Sequence, residues 1–277
     1  MRVVVCAMAK NEHLYINEWV RHYVRLGVDM IYLYDNDEPN SKPIKQCIDK
    51  ELRDKVFIYD IRGQVKQHLQ HDIYTTFYNT HKFEWCLFCD IDEFLMGVDN
   101  IKEWLSKFNN TFQIRIKWRL FGDDNKITRD MSKGVVESFK EVKTHSLMRD
   151  LKTKGNLENQ GKAIVRGGLG NVVVRSPHFA SFKTRNNVIP SVLPSGRVCC
   201  SKVVINEDYR HETIYLNHYM TKTLSEFIAQ KMNRTDAVYG DKVKLDYFWR
   251  INDKTPEKIK FLKELGYEEE NTLCNKV

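Results

Sequence analysis

The residues best suited to chemistry lie in Asp90-Ile91-Asp92-Glu93, three carboxylates within four positions that follow directly on the apolar run Trp85-Cys86-Leu87-Phe88-Cys89. Such a run suits a strand buried on both faces, and an open α/β sheet presents its ligand-binding groups outside the carboxyl ends of strands of this kind. Two aspartates so placed can hold a divalent cation. Carboxylate oxygens are hard ligands suited to Mg²⁺ or Mn²⁺, and these ions commonly bridge protein carboxylates and the phosphates of a substrate. The acid-x-acid triplet is not specific in itself, because Asp35-Asn36-Asp37 is a second one. Placement after an apolar run sets the first apart.

The elements that must position these groups can be read from periodicity. Val3-Val4-Val5-Cys6-Ala7-Met8 reads as a central parallel strand and closes in Lys10-Asn11-Glu12. Tyr15, Trp19, Tyr23 and Leu26 recur at helical spacing, and Gly27 stands where a helix would end. Met30-Ile31-Tyr32-Leu33-Tyr34 is a second strand closing in Asp35-Asn36-Asp37. Pro43 is placed to open a helix with Ile44, Ile48 and Leu52 on its inner face. Val56-Phe57-Ile58-Tyr59 makes a third strand, and a helix through Leu69, Ile73 and Phe77 leads to the fourth, acidic one. Alternation of this kind builds a parallel sheet with helices on its faces. It brings the three polar clusters to one sheet edge, where such folds bind nucleotides. No glycine-rich dinucleotide fingerprint or P-loop follows any strand, which weighs against NAD enzymes and P-loop NTPases.

Beyond Asn100 a short helix carries Trp104, Leu105 and Phe108. Phe112, Ile114, Ile116 and Trp118 then alternate with Gln113, Arg115 and Lys117, as in a strand with one wet or site-facing side, which ends in Phe121-Gly122-Asp123-Asp124. From about residue 150 to 220 the pattern is less regular, with short strand-like pieces at 163–165, 172–174, 203–205 and 213–216. Lys162, Arg166, Arg175, Lys183 and Arg185 punctuate it, as a solvated face or as phosphate or acceptor contacts. Helices are expected around 224–232, 245–251 and 256–265.

Composition narrows the class. At 277 residues with 42% hydrophobic side chains and a mean hydropathy of −0.52, the chain reads as a soluble globular domain. No stretch is long enough to span a bilayer and residues 1–9 are too short for a signal peptide, so a cytoplasmic protein is expected. The seven cysteines are odd in number and mostly embedded in apolar runs, as reduced buried thiols would be. Cys86 and Cys89 lie three apart in one strand and so point to opposite faces, which argues against a redox or zinc pair. Asn109-Asn110-Thr111 and Asn233-Arg234-Thr235 fit a glycosylation sequon that would need a secretory route. The net charge of +7 is spread without a long basic run, so no nucleic-acid partner and at most peripheral membrane contact are expected. A mild basic surplus suits phosphate-bearing substrates.

Four motifs resemble those of nucleotide-sugar glycosyltransferases of the GT-A type, in the family-2-like group related to family 92. They are Ala9-Lys10-Asn11-Glu12 with Glu18-Trp19 and His22, Tyr34-Asp35-Asn36-Asp37, Trp85 through Asp90-Ile91-Asp92-Glu93-Phe94-Leu95, and His218-Tyr219 with Lys222, Glu226-Phe227 and Lys231. Trp118-Arg119-Leu120-Phe121-Gly122-Asp123 falls between them in the expected order. The resemblance implies a GT-A fold, a mostly parallel α/β sheet flanked by helices with a less regular C-terminal half. It also implies a single domain over 1–277, with residues 1–120 binding the donor and 121–277 the acceptor. Lys10, Asn11, Glu12, Asp35 and Asp37 become donor-site candidates, with Asp90 facing the ribose or a metal and Lys222 the diphosphate. Asp90, Asp92 and His218 would hold Mn²⁺ or Mg²⁺. Inverting transfer needs a carboxylate to take the acceptor's proton, and Asp123 is the candidate, with Asp124 and Glu137 in reserve. His178 could line the acceptor side. The implied reaction moves a sugar from a nucleotide-diphospho-sugar, a UDP-sugar in the first instance, to a glycan or glycolipid acceptor such as lipopolysaccharide or capsule. The rival readings are an aspartyl-nucleophile Mg²⁺ phosphotransferase and a non-catalytic polyanion- or glycan-binding protein. The first usually carries a hydroxylated residue where Phe94 stands, on its first strand, and the second needs exposed stacking aromatics where these fall at core spacing.

Overall fold

A computed structural model describes residues 1–143, 159–183, 189–200, 205, 207–232, 234 and 242–267. In chain order these form β1 (Val3–Ala9), α1 (Ile16–Arg25), β2 (Met30–Asp35), β3 (Val56–Asp60), α2 (Leu69–Thr80), β4 (Trp85–Phe88) and β5 (Glu93–Met96). There follow α3 (Ile101–Leu105), β6 (Gln113–Leu120), α4 (Val135–Ser138), β7 (Gly161–Arg166), β8 (Val172–Ser176), β9 (Phe179–Phe182), β10 (Ser191–Val192) and β11 (Val198–Cys199). β12 (Tyr215–His218), α5 (Leu224–Gln230), α6 (Leu245–Phe248) and α7 (Pro256–Glu264) close the chain.

The apolar runs of the first half become neighbours in one sheet. β4, β1, β2 and β3 lie side by side and parallel, in that order, which puts the ends of β1, β2 and β4 on one edge. The sheet continues from β4 through antiparallel β7 to β6, β10 and β11, so β4 and β6 point the same way. β12 runs parallel to the end of β6 and antiparallel to β5. The architecture is thus the mixed, mostly parallel α/β sheet expected of a GT-A fold, with β8 and β9 as a separate antiparallel pair.

Both faces of the central strands are covered. Val3, Val5, Leu87 and Cys89 enter one buried cluster with Trp19 and Tyr23 of α1, while Val4, Cys6, Cys86 and Phe88 enter another with Tyr74 and Phe77 of α2. Cys86 and Cys89 accordingly face opposite sides. Gly27 ends α1 with φ +89°, a conformation that costs a glycine little.

Several expectations need correction. Pro43 opens no α-helix, because Ile44–Gln46 and Lys50–Lys55 are short 3-10 segments separated by an extended Asp49. Asn17 of α1 explains the break: its side chain donates to the Cys47 carbonyl and accepts from the Asp49 N–H, pairing backbone groups that a longer helix would have used. Ile44, Ile48 and Leu52 nonetheless stay buried. β6 has no wet side over its first half. Gln113 is buried, donating to the Ile189 carbonyl and to Ser191 Oγ of the neighbouring strand β10 and accepting from the Ala180 N–H of β9. The acidic motif lies just outside the carboxyl end of β4, in a turn closed by Glu93 N–H to the Asp90 carbonyl, after which the chain resumes as β5. Of the piece expected at 203–205, residues 203 and 204 lie outside the described residues, as does Arg185.

Candidate active site

The turn after β4 is ringed by charges from four other parts of the chain. Asp90 Oδ1 accepts from Gln70 Nε2 of α2 at 3.1 Å, and its Oδ2 from Lys162 Nζ of β7 at 2.7 Å. Lys162 reaches this point because Gly161 lets β7 press against β6: a Cβ there would lie 1.9 Å from the Ile116 carbonyl oxygen. Asp92 Oδ2 accepts from Lys231 Nζ at 2.5 Å, and the same ammonium donates to the Met220 carbonyl. Asp92 Oδ1 lies 3.4 Å from His218 Nε2, at the end of β12. Asp92 is 6% exposed in its side chain and Asp90 35%, so Asp90 is the open member of the pair.

Glu12 closes the ring from the end of β1. Its Oε2 lies 3.9 Å from Lys222 Nζ and its Oε1 3.5 Å from the Arg234 guanidinium. Asn11 and Lys222 hold φ of +59° and +57°, conformations uncommon for residues with a Cβ and concentrated at functional sites. Each is held by neighbours. Asn11 N–H donates to Asp37 Oδ1 and its amide to the Gln230 carbonyl, while the Lys222 ammonium sits 4.0 Å above the centre of the Tyr15 ring.

Burial and pairing divide the titrations. Burial alone would raise Asp92, but Lys231 and His218 hold its carboxyl well below the usual carboxylate range. Lys162 lowers Asp90 as well, against its desolvation. Glu93, fully buried and close to both aspartates, is pushed well above its ordinary value, and Glu12 is raised by burial despite Lys222 and Arg234. His218 and Lys222 are lowered by burial.

The other candidates are placed as follows. Asp35 and Asp37 organise the loop after β2: Asp35 accepts the N–H groups of Asp37 and Ile44, and Asp37 accepts that of Asn11 and lies 3.2 Å from His13. Lys10 pairs with Glu38, and its carbonyl accepts from Arg234. Asp123 is not an accessible base. Its side chain is fully buried and ion-paired to Lys258 of α7, and its N–H donates to Asn252. A carboxylate so enclosed offers no oxygen to an incoming hydroxyl. Asp124 accepts the N–H groups of Lys140 and Glu141 and so ties that loop, and Glu137 is an exposed partner of Lys133. His178 is buried beside Trp118 and bonds the Gly161 carbonyl, with its pKa lowered by burial to about 3.

A Mn²⁺ or Mg²⁺ ion does not fit this donor set. Both aspartates direct an oxygen at an ammonium, His218 lies 3.4 Å from Asp92 Oδ1 and 3.9 Å from Glu93 Oε1, and among the described residues no three His, Cys, Asp or Glu side chains are grouped to hold a metal. The sequence alone assigns no role to the residues that do the pairing, Lys162 and Lys231. The available signal for Lys162 is its place at the edge of the apolar run Ala163-Ile164-Val165, since a charge drawn into a buried strand must find a partner.

No family model matches the chain. It is similar to a family-92 glycosyltransferase. The relative, from Ricinus communis, is 25% identical over 126 residues, which cover 43% of this chain and 22% of that protein. The chain therefore matches less than a quarter of its curated relative's length. Among solved structures, S. aureus TarS residues 1–349 in complex with UDP-GlcNAc aligns with 98% of this chain and 74% of that chain, at 11% identity and a TM-score of 0.43. TarS 1–349 alone covers 60% of this chain and 47% of its own at a TM-score of 0.36 and 14% identity. These structural likenesses are slight, and the chemistry of the site rests on its own residues. Among the described residues, no helix is long and apolar enough to cross a membrane.

Proposed function

We propose that the protein is a glycosyltransferase that moves a sugar from a nucleotide-diphospho-sugar, a UDP-sugar in the first instance, to a hydroxyl of a glycan or glycolipid. The observation that carries this reading is the charged ring at the carboxyl edge of the parallel strands. Glu12 and Asp90 come from the donor half and Lys222, Lys231 and Arg234 from the rest, so anionic phosphates and a neutral sugar can be held side by side. Such edges are where α/β sheets bind nucleotides. The partial match to a family-92 glycosyltransferase supports it.

In this reading the chain's own groups divide the work. Lys222, Lys231 and Arg234 meet the diphosphate and the charge that builds on it as the glycosidic bond breaks, a stabilisation most effective in a site shielded from water. Asp90, the open carboxylate, orients the donor's hydroxyls by accepting from them. Asp35 and Asp37 hold the loop at the nucleoside end and keep Asn11 in its left-handed conformation. A single unit over 1–277 binds donor and acceptor, and we place the protein in the cytoplasm, in contact with membranes at most peripherally.

Melting curves of the purified protein with UDP, GDP, CMP and dTDP test the reading, because a ligand that binds only the native state must raise its stability. A rise with UDP that is lost in Asp90→Asn, together with slow release of UDP from a UDP-sugar, is the expected outcome. No rise with any of the four, in EDTA or in Mn²⁺, would overturn it.

A further inference from the structure

The pairing of both acidic residues of the motif with lysines has a consequence for how phosphate is held. We infer that this site binds a nucleoside diphosphate without a divalent cation, the ammonium and guanidinium groups of Lys222, Lys231 and Arg234 standing where an ion would. The inference rests on the donor-binding reading above and fixes the means by which that site meets its ligand.

Charge balance carries the argument. Asp90 and Asp92 are each matched by one ammonium, and the third carboxylate of the turn, Glu93, is buried 3.5 Å from the same Lys162, so the charge of each aspartate is already met without a dication. An ion ligated there would sit beside two positive groups in hydrogen-bonding reach of its own ligands. Nor are those groups loose side chains that could swing away. Lys162 is fully buried in the strand between β4 and β6, within 3.5 Å of Glu93 and 5.5 Å of the Trp118 ring centre. Lys231 is anchored a second time by the Met220 carbonyl.

On the Glu12 side of the ring the cations outnumber the carboxylates: against Glu12 and Asp92 stand Lys222, Lys231 and Arg234. Lys222 is held in a left-handed backbone over Tyr15, 3.9 Å from Glu12, where an arriving phosphate could take its charge. Asp92 then serves to hold an ammonium in place, not to ligate a metal.

Calorimetric titration with UDP and GDP, in EDTA and again with Mn²⁺, tests this on the full chain. UDP should bind in EDTA with a Kd within about threefold of that in Mn²⁺, and Lys222→Met and Lys231→Met should each weaken it at least about tenfold, on the scale expected for a lost buried charge contact. Lys231→Met should also uncover Asp92 and create Mn²⁺ binding that the native chain lacks, read from the free Mn²⁺ paramagnetic resonance signal. Should Lys231→Met fail to fold, Lys222→Met, which leaves the Asp92 pair intact, decides. Binding of UDP that requires Mn²⁺ would overturn the inference and leave the transferase reading standing. Absence of UDP and GDP binding under both conditions would overturn both.

Discussion

At the scale of single residues, the site is a set of buried charges whose protonation was decided by their neighbours. Glu93 gives the clearest test. Its folded pKa lies well above the unfolded value, so the stability it contributes is present in full below about pH 4.5, the ordinary glutamate range, and is lost as the pH climbs toward the folded value. Glu93→Gln keeps an oxygen to accept from the Asp90 N–H and removes the titration. Urea denaturation of both proteins from pH 4.5 to 8 should show the variant gaining steadily on the native chain as the pH rises. A constant difference would mean that Glu93 titrates normally. Asp92→Ala should behave differently from a lost ligand. It leaves the Lys231 ammonium buried without its carboxylate, so it should cost about 3–5 kcal/mol of stability, read from the same denaturation curves at pH 7.

At the scale of elements, ion pairs and caps fix the C-terminal helices against the sheet. Asp123 at the end of β6 pairs with Lys258 of α7, both fully buried, and Asn252 bonds Thr221 beside them. Asp123→Ala should therefore destabilise by about 3–5 kcal/mol, whereas Asp123→Leu with Lys258→Met together should recover much of that loss. If Asp123 were the base, the double variant would fold and still fail to transfer sugar. The start of α5 depends on a smaller device. Thr223 caps it, accepting from the Glu226 N–H while the Glu226 carboxylate returns to Thr223, and Tyr15 and Arg129 hold the same carboxylate. Thr223→Ala should cost about 1 kcal/mol in chemical denaturation. Because α5 leads directly into Lys231, nucleotide affinity should fall with it.

At the scale of the molecule, the sheet is not divisible where the sequence pattern changes. β7, from the second half, lies between β4 and β6 of the first. A fragment of residues 1–120 would leave both of those strands with an open, apolar edge, so it should show no cooperative unfolding transition by circular dichroism where the full chain shows one. The first half's strands, α1, α2 and the common edge of Lys10-Asn11-Glu12, Asp35-Asn36-Asp37 and Asp90-Ile91-Asp92 were legible in the sequence. Apolar runs and helical spacing are local properties, and parallel strands leave their ends together wherever they occur. The turn from Asp90 into β5, the break at Asp49 and the dry face of Gln113 were not legible, because each depends on a partner distant in sequence: β12, Asn17 and Ser191. The same is true of the chemistry. The sequence by itself determined that carboxylates would stand at the edge of a parallel sheet. Only the tertiary structure decided that Lys162 and Lys231 would neutralise them and that Lys258 would enclose Asp123, since a charge is balanced by whatever folding brings within a few ångströms of it.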